Sequence, residues 1–290
     1  MRHKHPLMSV LIILMLLGLT LTAAAITFGV PDEEDHPYVG VAFFFDDQGT
    51  FLWPCSGTLL SETVFLTAGH CTYETDHAIV LFKSDLSDIN VPPECDNIDC
   101  LEDYYCDDSE CYMSESIHPH PDFHYLNFPN TSDIGVVIFD EEICLGGVAE
   151  NCEYGMLPAE EDIPVLDELA TQRGRKDTII RTVGYGLNMV KPFDYHERKR
   201  YTSTSQIVNL RSHLTDGYNL HTSNNRGKGQ GTGGSCFGDS GGPILYPEDS
   251  DVVVGVVSFG LNKNCKGADF AYRTDIEEAQ EFIRDFLDGD

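Results

Sequence analysis

Positive charge is scarce in this chain. Eighteen Lys and Arg stand against 48 Asp and Glu, a net charge of −30. A surface so poor in cations is not built for nucleic acid or an anionic membrane, both of which require Lys and Arg to neutralise phosphate. Beyond residue 25 no long apolar run occurs, which excludes a later membrane-spanning helix. Internal repeats and low-complexity linkers are absent too, so the chain is not a repeat array. Helical patterns do not alternate with the strand-like runs, which argues against a βαβ architecture. The 290 residues allow one large or two small domains with a sizeable core. The acid surplus keeps such a protein soluble but names no substrate.

What is present begins with an export signal. Arg2 and Lys4 precede the nearly continuous apolar run Leu7 to Leu21, and Ala23-Ala24-Ala25 places small residues where a signal peptidase reads. The run is shorter than the about 20 residues of a spanning helix, which favours a cleaved signal over residues 1–25 to an anchor. The expected mature chain, 26–290, is soluble, free of stable membrane association, and secreted to an extracellular or periplasmic space. Ten cysteines, an even number, then suggest disulfides, and their dispersed spacing argues against a metal site.

Short β-branched and aromatic runs follow one another at Tyr38–Phe45, Val64–Thr67, Ala78–Phe82, Ile134–Phe139, Ile179–Val183, Thr204–Val208 and Val252–Ser258. They predict an all-β sandwich or barrel. Ile276, Ala279, Ile283, Phe286 and Leu287 recur at helical spacing and predict a closing amphipathic helix. Residues 84–115 read as an acidic insertion carrying Cys95, Cys100, Cys106 and Cys111, whose three pairings the sequence leaves open. Clustered carboxylates suit calcium, but their spacing fits no EF-hand, and a solvated acidic loop is the expectation.

Three segments carry chemistry. Ser235-Cys236-Phe237-Gly238-Asp239-Ser240-Gly241-Gly242-Pro243 sets a serine among glycines that allow positive φ and bare N–H groups, the surroundings an oxyanion needs. His70 lies in Leu66-Thr67-Ala68-Gly69-His70-Cys71, and Asp133 in Ser132-Asp133-Ile134-Gly135-Val136-Val137-Ile138, at the mouth of an apolar strand. A serine hydroxyl needs a base in reach, and the base needs a carboxylate to fix its tautomer.

In the order His, Asp, Ser these segments resemble the chymotrypsin/trypsin family of serine endopeptidases, over nearly all of residues 26–287 though loosely outside the motifs. The chain looks like a divergent, microbial-type secreted member. The resemblance implies two six-stranded antiparallel β-barrels with the active site between them. It implies Ser240 as nucleophile, His70 as general base and then acid, Asp133 as orienting carboxylate, and the N–H groups of Gly238 and Ser240 as oxyanion hole. It implies disulfides Cys55–Cys71 and Cys236–Cys265, while Cys144–Cys152 would close a short loop outside the family pattern. A freed Ile26 would pair its ammonium with Asp239, so that signal cleavage itself would create the active form. Substrate-binding positions are Gly234, Ser235, Ser258, Phe259 and Gly260. Gly234 stands where basic-residue-specific members carry an acid. Asp269 could instead select Lys or Arg, or Phe270 could fill the pocket. The chemistry requires no cofactor, and no metal-ligating residue is assigned. The expected partners are polypeptide substrates, and the protein is expected to be a monomer.

His118, His120 and His124 invite a zinc reading, but two of the three precede prolines, so no regular helix gathers them. Asn130-Thr131-Ser132 is a glycosylation sequon if the source glycosylates. The rival functions are a non-catalytic binding homologue of the fold and an esterase or amidase acting on small substrates.

Overall fold

β-Branched and aromatic runs pair antiparallel into two seven-stranded sheets in the computed structural model, which describes residues 25–106, 111–145, 152–167, 178–190, 194–225 and 231–289. The expected signal segment, apart from its last residue, lies outside the described residues, as do Asp107, Asp108 and Glu110 of the insertion. The first sheet holds β2 (Val39–Phe45), β3 (Phe51–Leu59), β4 (Val64–Thr67), β5 (His77–Leu81), β6 (Cys111–Met113), β7 (Ser116–Pro119) and β8 (Gly135–Ile138), in the order β6-β5-β2-β3-β4-β8-β7. The second holds β1 (Val30–Pro31), β9 (Ile179–Gly184), β10 (Tyr201–Asn209), β11 (Asn219–Asn224), β12 (Pro243–Leu245), β13 (Val253–Gly260) and β14 (Gly267–Arg273). Its order is β1-β10-β11-β14-β13-β12-β9, and β9 also pairs with β10, which closes the sheet on itself. Two-residue β1 and three-residue β6 are short edge additions to the six strands expected of each barrel. The architecture is the all-β chymotrypsin-like fold.

The expected strands form with boundaries moved by up to three residues. Strand β3 was not expected, because Pro54, Ser56 and Gly57 interrupt its apolar pattern. It forms because its neighbours demand it. The Phe65 ring occupies the space a Cβ on Gly57 would take, 2.3 Å away, so glycine lets β4 pack tightly against β3. Helix α1 (Gly69–Thr72) is a single turn after β4, and α3 (Glu277–Leu287) is the expected amphipathic helix, burying Ala279 and Ile283.

The barrels are tied by a buried ion network. Arg200, just ahead of β10, donates through Nε to Asp32 at 2.7 Å and through Nη1 to the carbonyls of Val39 at 3.2 Å and Phe82 at 3.0 Å. His36 Nδ1 meets the other Asp32 oxygen at 2.5 Å. Burial pushes the Asp32 carboxyl up, but His36 and Arg200 outweigh it and hold it below the usual range.

The acidic insertion is better ordered than a solvated loop. Helix α2 (Ile98–Tyr105) is capped by Asn97, buries Leu101 beside Phe45 and Ile79, and stacks Tyr105 on Phe43 at 4.9 Å. Disulfides Cys95–Cys100 and Cys106–Cys111 bracket it. Its acids crowd one face and its apolar residues the other, so a count of carboxylates hid a small core. Cys95–Cys100 and Cys106–Cys111 are pairings the sequence left open, and the three expected disulfides, Cys55–Cys71, Cys144–Cys152 and Cys236–Cys265, are also present.

Candidate active site

His70 follows β4 on the single turn α1, and Asp133 precedes β8, the strand paired with β4, so the sheet register brings the two side chains together. The Asp133 carboxylate accepts from the backbone N–H of His70 at 2.8 Å and lies 2.9 Å from His70 Nδ1. The hydroxyl of Ser258 donates to the same carboxylate in a short contact. Burial alone would depress the His70 imidazolium and raise the Asp133 acid. The charge pair and its hydrogen bonds outweigh it, raising the imidazole and lowering the carboxyl from their ordinary values. A carboxylate on Nδ1 leaves Nε2 as the ring nitrogen able to take a proton.

Ser240 faces the same cleft, since His70 and Ser240 line both of the cavities that meet there. The loop before it is held by its carbonyls. Phe237 O accepts from Leu187 N at 2.7 Å, and Asp239 O accepts from Gly242 N at 2.9 Å. In a trans peptide the N–H points opposite to the C=O, so the Gly238 and Ser240 N–H groups turn away from those donors. Gly238 has φ of +97°, which suits glycine alone at low cost. Ser56 on β3 anchors the loop from below: its Oγ donates to Gly238 O at 2.9 Å and its N–H to Ser240 O at 2.8 Å. Sequence reasoning missed Ser56, because no motif marks a serine that acts through a strand partner.

One flanking cavity, of about 530 Å³, is lined by Ser235, Ser258, Phe259, Gly260 and, from β14, Asp269. Two expectations change here. Gly234 lies behind this cavity, against Asp269 and Asn224, and does not line it. Ser258 does line it, but its hydroxyl is spent on Asp133. The Asp269 carboxylate accepts from Ser235 N at 2.7 Å, and burial raises its pKa to about 6. Phe270 takes the other side of β14, stacked between Phe259 at 4.6 Å and His221 at 4.7 Å. Cys236–Cys265 joins the two walls.

Asp239 is fully buried among glycines. Its oxygens accept from Gly186 N at 2.7 Å and Cys236 N at 2.8 Å, and no cation pairs with it among the described residues. Burial raises its pKa to about 7. Ile26, also buried, packs on Tyr201 with φ of +46°, a costly conformation for a β-branched residue. Thr27 bridges to Gly234.

The three histidines do not converge. His118 contacts Ser116 and Phe286, His120 packs on Phe282, and His124 accepts from Leu126 N. Among the described residues the one cluster of three metal-ligating side chains is Cys55, His70 and Cys71, and two of these are joined as a disulfide. Asn130 of the sequon donates its amide to Glu278 at 3.1 Å and accepts from Tyr272, so it is engaged within the fold.

Residues 168–283 match the family model described as Trypsin, a span that includes Ser240 but neither His70 nor Asp133. The chain is 27% identical over 247 residues to CLIP domain-containing serine protease B15 of Anopheles gambiae, covering 82% of this chain and 63% of that protein. It is 26% identical over 275 residues to Limulus clotting factor C of Carcinoscorpius rotundicauda, covering 86% of this chain and 24% of that protein. The chain thus spans less than two thirds of either relative. HL collagenase shares its fold with a TM-score of 0.64 at 16% identity, covering 91% of this chain and 99% of that one. Human heparin binding protein does so with a TM-score of 0.57 at 17% identity, covering 91% and 96%. The matches in sequence are to trypsin-like serine proteases, and the solved structures share the fold. The relatives in sequence are arthropod proteins, which corrects the expectation of a microbial-type member.

Proposed function

We propose that this chain is a secreted serine endopeptidase that cleaves polypeptides through an acyl-enzyme. Ser240 attacks the scissile carbonyl, His70 takes its proton and returns it to the leaving amine, and Asp133 holds the imidazole and balances its charge. The Gly238 and Ser240 N–H groups stabilise the oxyanion. The observation that carries this reading is the Asp133 carboxylate at 2.9 Å from His70 Nδ1, with His70 opening on the cavity that Ser240 also lines.

The acyl-side residue is basic. Asp269 supplies a buried carboxylate to the pocket beside Ser240, and Phe270 is committed to its ring stack elsewhere. Activation follows cleavage before Ile26. The new ammonium pairs with Asp239, compensating a buried acid, and cutting the Ala25–Ile26 bond releases the positive φ at Ile26.

Fluorophosphonate labelling of the secreted chain, wild type against Ser240→Ala, followed by a peptide-library cleavage profile, tests the reading. Labelling of wild type alone with cleavage after Lys or Arg is expected. Absence of labelling in a chain that starts at Ile26 would point to a non-catalytic binding protein, and cleavage of esters but not peptides to an esterase.

A further inference from the structure

The second cavity at the reacting serine is unlike the first. It encloses about 660 Å³ and meets the carboxylate-bearing pocket only at His70, Phe237 and Ser240. Its walls are mainly apolar: Phe43 and Trp53 from the first barrel, Leu187 and Phe237 from the loops of the second, and Leu86 and Tyr105 from the acidic insertion, with Arg198 and His196 also in the lining. The insertion is fastened in place. Asp85 pairs with Lys199 at 2.7 Å, Leu86 N donates to Arg198 O at 2.8 Å, and the Arg198 guanidinium donates to the carbonyls of Ser87 and Ile89 at 3.2 and 2.7 Å. Tyr105 is stacked nearly flat on Phe43.

A polypeptide crossing Ser240 must lie on both flanks. If the acyl half follows the end of β13, Ser258 to Gly260, into the Asp269 pocket, the leaving half departs past Gly238 into the apolar chamber. We infer that the acidic insertion builds a leaving-group subsite that selects a large apolar side chain, aromatic above all, in the first two residues after the scissile bond. This rests on the endopeptidase reading and extends it from the acyl side to the amine side. A chamber of this size with mainly apolar walls rewards an aromatic ring by removing it from water.

The test uses the full secreted chain and two kinds of substrate. Quenched peptides with a fixed Lys before the bond and varied residues after it read the leaving side, and a Lys methyl ester, whose methanol leaving group is too small to fill the chamber, reads the acyl side. Wild type is expected to favour Phe, Tyr or Trp over Gly by on the order of 10- to 100-fold in kcat/KM. Tyr105→Ala should flatten that preference by lowering kcat/KM for the aromatic leaving residues toward the value for Gly. A second measurement needs no variant: phenylalaninamide should capture the acyl-enzyme at least about tenfold better than glycinamide, since an amine that deacylates it must sit in the same chamber. Equal capture of the two amines, or a flat leaving-side profile in wild type, overturns the subsite. Failure of Ser240 to label, with no hydrolysis of the methyl ester, instead overturns the endopeptidase reading and the subsite with it.

Discussion

A Cβ on Gly234 would lie 2.6 Å from Oδ2 of Asp269. The missing side chain at one position and the buried acid at the other are therefore a single feature. Glycine at 234 leaves room for a carboxylate delivered from β14 instead of from the loop before Ser240. Replacing Asp269 by Asn should lower kcat/KM on Lys and Arg substrates by on the order of 100-fold, because a buried ion pair is lost. Gly234→Ala should weaken the same preference by displacing Asp269. A cleavage profile in which neither change alters the acyl-side preference would remove Asp269 from the specificity pocket.

The same group sets a pH signature. With its pKa raised to about 6 by burial, Asp269 is neutral below that pH and anionic above it. KM for a basic substrate should therefore rise as pH falls from 7 to 5, and KM for a substrate with a neutral acyl-side residue should not. Initial rates on the two substrates across that range measure the difference.

The base imposes a different limit. The Asp133 charge and hydrogen bond, acting against burial, raise the His70 imidazole above its usual 6.5. Catalysis needs it neutral, so kcat should fall as pH drops through that raised value. Asp133→Asn should lower kcat by on the order of 10⁴-fold. Ser258→Ala, which removes one donor to the carboxylate, should lower it by about tenfold, within the range for a hydrogen bond to a charged group. Gly238→Ala should lower kcat by roughly 100-fold or more through the turned oxyanion donor.

Asp239 makes the unprocessed chain pH-sensitive. Its folded pKa of about 7 lies above the ordinary 3.8, so between these values the folded state binds more protons than the unfolded state. Stability is then present below about pH 4 and is lost as pH rises to about 7, by up to about 4 kcal/mol. Urea titration of a Ser240→Ala chain that keeps the residues before Ile26 should show this loss, and a chain starting at Ile26 should not. N-terminal sequencing of the secreted protein should read Ile-Thr-Phe-Gly.

Arg200 is expected to be a structural keystone. Truncation to Ala strands Asp32 without its buried partner and should cost about 3–5 kcal/mol in urea unfolding. Asp32 itself has a depressed folded pKa, so its contribution is present above its unfolded value near 3.8 and is lost as pH falls below it.

Local signals and long-range geometry divided the work in this molecule. The candidate residues His70, Asp133 and Ser240, which the fold brings to one cleft, could be singled out in the sequence because each lies in a short segment of glycines and small residues. Seven of the strands and the closing helix were legible from periodicity, whereas short or polar strands such as β7 and β11 were not, nor was β3, whose Pro54 and Gly57 break the pattern that its pairing overrides. Ser56, which anchors the serine loop, left no local trace. Nor did the short hydroxyl contact from Ser258 to Asp133.

By itself the sequence determined that this is an all-β chain with a Ser, His and Asp in contexts suited to acyl transfer, because those properties reside in segments of a few residues. Only the tertiary structure decided that Asp269, and not Phe270, faces the pocket, since adjacent residues of β14 point to opposite faces and one register assigns both. It alone turned an acidic, cysteine-rich insertion into a wall of the second cavity, with Tyr105 stacked on Phe43, because which face of α2 is buried depends on what Phe43 and Phe45 present to it across the fold.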